Sequence, residues 1–256
     1  MTEQVLVEKS DKVLTLTLNR PEKRNALTAA MYRTLSDAIV SADQAPDIHC
    51  VLILANGEMF TAGNDLEDLA AMGTAGDLPL QEANPFLPAL ARAKTPIVAA
   101  VNGRAVGIGV TMLLHCDLVF LATNALLSTP FVKLAVVPEA ASSLLLPLRI
   151  GHLRAFEMFV LNEAVDAERA VSWGLANRVV APAELRQTAR AAAQAIAQRA
   201  PAAVCSTKKL MRDEAAILAR MACESEQFVR QLKSPEFQEA FAAFYDGRAP
   251  NFGRVI

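Results

Sequence analysis

A chain of 256 residues, 53% of them hydrophobic, is long enough to bury a substantial core as one large domain or two small ones. Its apolar residues come in short blocks, none near the roughly 20 residues of a membrane span, so a soluble protein with no membrane partner is expected. A formal net charge of -2, without a dense basic cluster, argues against a nucleic-acid surface and leaves small molecules or proteins as partners.

Val13 to Leu18 alternates apolar residues with threonine and predicts a strand with one strongly apolar face. The polar turn from Asn19 to Asn25 ends it. Thr28 is placed to N-cap a helix in which Met31, Leu35 and Ile39 repeat at helical spacing, and Pro46 closes that region. Val51 to Ala55 predicts a buried strand. Phe60 to Leu66 then turns into a helix, with Asp65 in its first turn, where the helix dipole favours an acid. Met72 to Pro79, rich in small residues and without periodicity, is expected to be a mobile loop, and Asn84 to Ala93 a short helix.

Lys94 to Asp117 carries the most chemical content. Pro96 opens an apolar run that reads as a strand buried on both faces, glycines follow at 103, 107 and 109, and Val110 to Leu114 begins a buried helix. A strand that passes through a glycine turn into a helix aims several backbone N–H groups at one point outside the sheet, and such a point attracts negative charge. The spacing G-x-x-x-G-x-G is not a dinucleotide fingerprint, and Val110-Thr111 after Gly109 is not a P-loop. Taken alone, the glycines are better explained by tight packing of a helix on a strand. With the turn at 60–66, the chain has two strand-to-helix turns of one kind, which can hold two N–H donors on a single oxygen.

Leu118 to Ala122 reads as another strand, and strands alternate with helices to about residue 150, the pattern of right-handed βαβ units. Beyond Gly151 nearly everything reads as helix: 156–161, 167–173 with Gly174 as C-cap, 183–199, 202–211, 214–230 and 235–245, with only 175–180 extended. One α/β core with a helical C-terminal extension is expected. Cys50, Cys116, Cys205 and Cys223 have neither disulfide nor zinc spacing and are expected to be buried thiols in a reducing compartment. His49, His115 and His152 share no metal-ligand spacing, so no metal is expected. The acidic, polar stretch from Met1 to Lys9 is no export leader, which makes the cytoplasm the expected location.

Several stretches together resemble the crotonase, or enoyl-CoA hydratase/isomerase, superfamily. They are Asn19-Arg20-Pro21 with Asn25-Ala26-Leu27, Ala62-Gly63-Asn64-Asp65-Leu66, Ala99 to Gly109 with Cys116-Asp117, Pro138-Glu139 with Ser142-Ser143, and Ala170 to Leu175. The resemblance implies a spiral of ββα turns over residues 1–195, holding an acyl-CoA site, and a C-terminal helical extension over 196–256 that builds homotrimers, often paired into hexamers. Coenzyme A enters as part of the substrate, so no separate cofactor is implied. The two N–H groups that hold the thioester oxygen fall on Asn64 and Ile108, the latter at a position where the family often has glycine. Lys23 and Arg24 would lie near the nucleotide end of coenzyme A. Ala26, Leu27, Ala62, Gly63, Asp65, Leu66, Gly107 and Phe131 would complete the substrate-binding set.

The two glutamates with which the family's hydratases position water fall on Thr111 and Phe131, neither of which can act as a base. Glu139 remains, and the surrounding strings look like the Δ3-Δ2-enoyl-CoA isomerases of the peroxisomal type, in which the matching glutamate is the base. Read locally, Glu139 is also compatible with an ordinary first-turn acid after Pro138. The resemblance leaves room for a hydratase, a thioester hydrolase or a non-catalytic acyl-CoA-binding protein.

Overall fold

The computed structural model describes residues 3–74 and 84–254. Val13–Leu18 (β2) pairs antiparallel with Val5–Ser10 (β1) and parallel with Cys50–Ala55 (β3). Parallel pairing continues through Ile97–Val101 (β4), Leu118–Ala122 (β6) and Arg178–Val180 (β9), giving the sheet order β1-β2-β3-β4-β6-β9. A second sheet joins Arg104–Val106 (β5), Leu126–Ser128 (β7) and Val165–Asp166 (β8) in the order β5-β7-β8. Single-residue parallel bridges, Thr61 to Ala105 and Leu27 to Asn64, carry this second layer on towards the N-terminus. Each circuit of the chain therefore lays one strand in the large sheet and a shorter extended piece in the small one, which is the ββα spiral that the resemblance implies.

Helix Ala29–Gln44 (α1) is N-capped by Thr28, whose side chain accepts from the Met31 N–H. Leu66–Thr74 (α2) and Phe86–Arg92 (α3) precede the central stretch, and the short helix Ile108–Thr111 (α4) follows β5. Ser142–Ile150 (α5), His152–Phe156 (α6) and Ala167–Ser172 (α7) come next. Leu185–Ala197 (α8) lays Leu185, Ala189, Ala193 and Ala197 on one face of the large sheet, against Val13, Cys50, Leu52 and Leu54. The small side chains of that alanine stripe let the helix sit close, so Thr15 and Thr17 are buried too, and β2 is covered on both faces instead of one. Pro201–Leu210 (α9), Glu214–Leu232 (α10) and Pro235–Tyr245 (α11) end the described chain, with α10 resting on α2, α3 and α5. The expected division at residue 195 falls in the last turn of α8.

The sequence reading missed β1, β5, β7, β8 and β9 as strands. β1 is an edge strand with mostly exposed side chains and so has no apolar period. β5 is three residues long and follows Gly103, whose φ of +60° turns the chain out of β4 and where an added Cβ would stand 2.0 Å from the Glu58 carbonyl oxygen. Within the extended link at 175–180, Arg178–Val180 is a strand, β9, paired with β6. Of the expected loop at 72–79, residues 72–74 belong to α2 and the rest lie outside the described residues. Asp65 lies just before α2, not in its first turn. All four cysteines are free, but Cys205 is only partly buried and Cys223 is exposed.

Candidate active site

The two strand-to-helix turns meet where the spiral's second layer runs out. The bridge between Leu27 and Asn64 uses the Leu27 N–H, which donates to the Gly63 carbonyl at 2.8 Å, and the Asp65 N–H, which donates to the Leu27 carbonyl at 2.9 Å. Because alternate residues of an extended segment point opposite ways, the Asn64 N–H faces away from Leu27. Ile108 opens α4, and the N–H groups of Val110 and Thr111 both donate to the Gly107 carbonyl. A first helical residue has no acceptor within its own helix. Among the described residues, neither the Asn64 nor the Ile108 N–H is taken up by the turn bonds around it.

Both readings of the glycines hold, at different positions. A Cβ on Gly109 would stand 2.4 Å from Thr61 Cγ2, so this glycine lets α4 pack on the neighbouring segment. A Cβ on Gly107 would meet nothing within 4 Å, but φ there is +56°, so this glycine supplies the turn that aims the next N–H.

Glu139 lies on a turn three residues ahead of α5, so it is not a first-turn acid. It is 3% exposed, and Thr111 Oγ1 donates to its Oε1 at 2.6 Å, which brings it beside the helix that begins at Ile108. Burial lifts its pKa to about 8, against the Thr111 hydrogen bond, which lowers it, and with help from the Glu224 charge. The Tyr32 hydroxyl donates to Asn64 Oδ1, and its ring stacks on Phe86 with centroids 5.9 Å apart. Burial, and then the nearby Glu139 charge, hold the Tyr32 phenol well above its ordinary pKa. Tyr32 therefore connects the two halves of the site. Its place in the helical period of α1 marked it only as a neighbour of the core residue Met31.

A cavity of about 820 Å³ opens beside Asn64. Lys23, Arg24, Ala26, Ala62, Asp65 and Leu66 of the expected set line it, together with Arg104 and Lys133, which the sequence reading did not single out. Phe244 and Tyr245 close one side from α11. Four cations against Asp65 and Glu67 suit a polyanionic ligand segment. Leu27, Gly63, Gly107, Ile108, Phe131 and Glu139 do not line this cavity. Leu27 and Gly63 are tied in the bridge, and Phe131 packs on Phe159 with ring centroids 6.1 Å apart. Asp65 is engaged structurally: burial pushes its carboxyl up, but Arg20, donating from Nη1 to Oδ2 at 2.7 Å, leaves it below the usual range.

His115 and Asp117 are structural as well. Asp117 accepts from the Ile97 N–H at 2.7 Å and from Lys208 Nζ at 2.8 Å. His115 Nε2 lies 2.8 Å from the Ala140 carbonyl and Nδ1 3.0 Å from Arg212 Nη2. A carbonyl only accepts and a guanidinium only donates, so the ring is neutral with its proton on Nε2. Burial and the Arg212 charge lower its pKa to about 3. Among the described residues no group of three or more His, Cys, Asp or Glu could hold a metal, and no helix is long and apolar enough to cross a membrane.

Residues 8–254 match the family model described as enoyl-CoA hydratase/isomerase. The chain is 31% identical to the 1,2-epoxyphenylacetyl-CoA isomerase of Escherichia coli (strain K12), over 98% of its own length and 99% of the relative's. It is 32% identical to the 2,3-dehydroadipyl-CoA hydratase of the same organism, over 97% and 98% of the two lengths. A crystal structure of an enoyl-CoA hydratase/isomerase from Pseudoalteromonas atlantica T6c superposes with a TM-score of 0.92 at 40% identity, covering 98% of this chain and all of the other. With the spiral fold and the paired turns already in place, these likenesses make the chain a member of the crotonase superfamily, enzymes of the enoyl-CoA hydratase/isomerase family that act on acyl-CoA thioesters.

Proposed function

We propose that this enzyme is a Δ3-Δ2-enoyl-CoA isomerase, nearest in motif to the peroxisomal type, with Glu139 as its only base. The reading is carried by one observation: a buried carboxyl, Glu139, accepts from Thr111 of α4, while the positions that serve hydration are Thr111 and Phe131. As a carboxylate, Glu139 takes a proton from C2 of a 3-enoyl thioester. The electron pair freed at C2 moves through C1 onto the thioester oxygen, giving a dienolate, and as it returns the C3–C4 pair takes the proton back from the same carboxyl at C4. The double bond ends between C2 and C3, and no water is consumed.

Negative charge gathers on the thioester oxygen during this transfer. The N–H groups of Asn64 and Ile108 are the donors assigned to it, and losing one such donor costs about 3–4 kcal/mol in the barrier. A pKa of about 8 makes Glu139 a strong enough base to attack an acidified carbon acid while keeping a usable carboxylate fraction near neutral pH. Lys23, Arg24, Arg104 and Lys133 are assigned to the phosphates of coenzyme A. Residues 196–256 are assigned to assembly, with a trimer as the working unit.

A spectrophotometric comparison of 3-enoyl and 2-enoyl thioesters tests this. Wild type should isomerise the 3-enoyl compound, and Glu139→Gln should lose about 10²-fold or more in kcat while staying folded. Full turnover in that variant, or brisk hydration of the 2-enoyl compound by wild type, would overturn the assignment.

A further inference from the structure

The turn that carries Glu139 is held partly from outside the spiral core. Ala140 and Ala141 both adopt left-handed backbone, with φ of +61° and +56°, a conformation that alanine takes only under constraint. Three groups supply that constraint. The Ser142 N–H donates to the Glu139 carbonyl at 3.0 Å, and the Ala140 carbonyl accepts from His115 Nε2. From α10, Glu224 accepts from the Ala141 N–H at 2.6 Å through Oε2 and from the Ser143 N–H at 2.8 Å through Oε1. Glu224 is itself 6% exposed, and nothing in the proposed chemistry uses it.

We propose that Glu224 is a positioning residue for Glu139: through the Ala141 and Ser143 N–H groups it fixes the left-handed turn that presents the Glu139 carboxyl. The catalytic consequence rests on the isomerase reading; the mechanical one does not. The bidentate grip requires both carboxylate oxygens, which is why a glutamate stands here where one hydrogen bond alone would admit glutamine.

The charges around the pair are few. Glu139 faces Thr111 from α4, Tyr32 from α1 and Glu224 from α10. Glu224 faces the Ser143 hydroxyl and, along its own helix, Arg220. Behind Ala140 lies neutral His115, backed by Arg212, Arg149 and Lys208. Burial raises Glu224 to about 7, so the two carboxyls titrate in overlapping ranges; the Glu224 charge also raises Glu139, and linkage makes that interaction reciprocal.

Infrared titration of the protonated carboxyl bands of the full chain, with Glu139→Gln and Glu224→Gln assigning the bands, reads this coupling without turnover. In Glu224→Gln the Glu139 band should vanish at lower pH than in wild type, and the acid limb of kcat/KM should move with it. Glu224→Ala, which releases the turn, should lose about tenfold or more in kcat with KM little changed. A Glu139 band at the same pH in wild type and in Glu224→Gln would overturn the inference. If Glu224→Gln does not fold, the reciprocal measurement decides: the Glu224 band must move to lower pH in Glu139→Gln, and an unmoved band overturns the inference equally. The expected shift between wild type and Glu224→Gln, found in a protein whose wild type isomerises nothing, would leave the coupling of the two carboxyls standing and overturn the isomerase reading instead.

Discussion

Glu139 is asked to be both a buried side chain and a charged one, and the conflict sets how stability and activity vary with pH. Its folded pKa of about 8 lies above the ordinary 4.5, so the folded state holds a proton that the unfolded chain has already released. The associated stability is complete below about pH 4.5 and is lost as pH rises through about 8; Glu224, raised to about 7, acts in the same direction over a narrower window. Activity runs the other way, because only the carboxylate is a base. Denaturant melts of wild type and Glu139→Gln at pH 5 and pH 9 should therefore differ: the variant gains on wild type at the higher pH by an amount on the order of a few kcal/mol. Equal differences at the two pH values would mean that the carboxyl is not held neutral by the fold. Thr111→Val probes the same balance from the other side. The Thr111 hydroxyl is the group that lowers the Glu139 pKa, so this near-isosteric change should move the acid limb of kcat/KM to higher pH and reduce the rate at pH 7.

At the scale of elements, α4 depends on two glycines for unlike reasons, and alanine at each should fail differently. Gly109→Ala forces a methyl against Thr61 Cγ2 at 2.4 Å. Thr61 cannot retreat freely, because its Oγ1 donates to the Asn25 carbonyl at 2.6 Å and accepts from the Gly63 N–H at 3.0 Å. The expected cost is about 1–3 kcal/mol of overpacking, read as a lower denaturation midpoint. Gly107→Ala meets open space, but it holds a left-handed φ and redirects the Ile108 N–H, so kcat should fall more than stability does. The same contrast explains what the sequence could and could not disclose. The helix α1, with Thr28 as its cap and an apolar period, was legible because capping chemistry and period are local. β5 was not, since three residues carry no period and its existence depends on a pairing with β7 far along the chain. Asn64, Ile108 and Glu139 were legible only as motif residues. Tyr32 and Glu224 were not legible at all, because a phenol beside a core methionine and an acid on an amphipathic helix look ordinary until tertiary contacts put them on Asn64 and on the Glu139 turn.

For the whole molecule, the arrangement of the C-terminal helices bears on how the site is kept in place. α10 supports the Glu139 turn through Glu224, and α11 brings Phe244 and Tyr245 to the cavity, so the extension contributes to the site of its own chain. The outer side of this region is apolar: Leu210 and Met211, at the end of α9, are 88% and 80% exposed, and Leu148 on α5 is 74% exposed. Met211 and Leu148 share one groove of about 920 Å³ with Leu144 and Leu145. Exposed leucine and methionine side chains of this kind are costly for an isolated chain in water, and burying them between copies would give the proposed trimer a driving force. A charge placed at Met211 tests this, because a carboxylate buried against the leucines of another copy loses hydration that an apolar contact does not return. Sedimentation velocity should report three chains for wild type and a shift toward monomer for Met211→Glu, with far-UV circular dichroism unchanged because Met211 is already solvent-facing in the single chain. If Met211→Glu sediments as wild type does, the groove is not the contact between copies. If the variant dissociates yet keeps its kcat, assembly is not needed to hold the Glu139 turn, and the grip of α10 within one chain is sufficient.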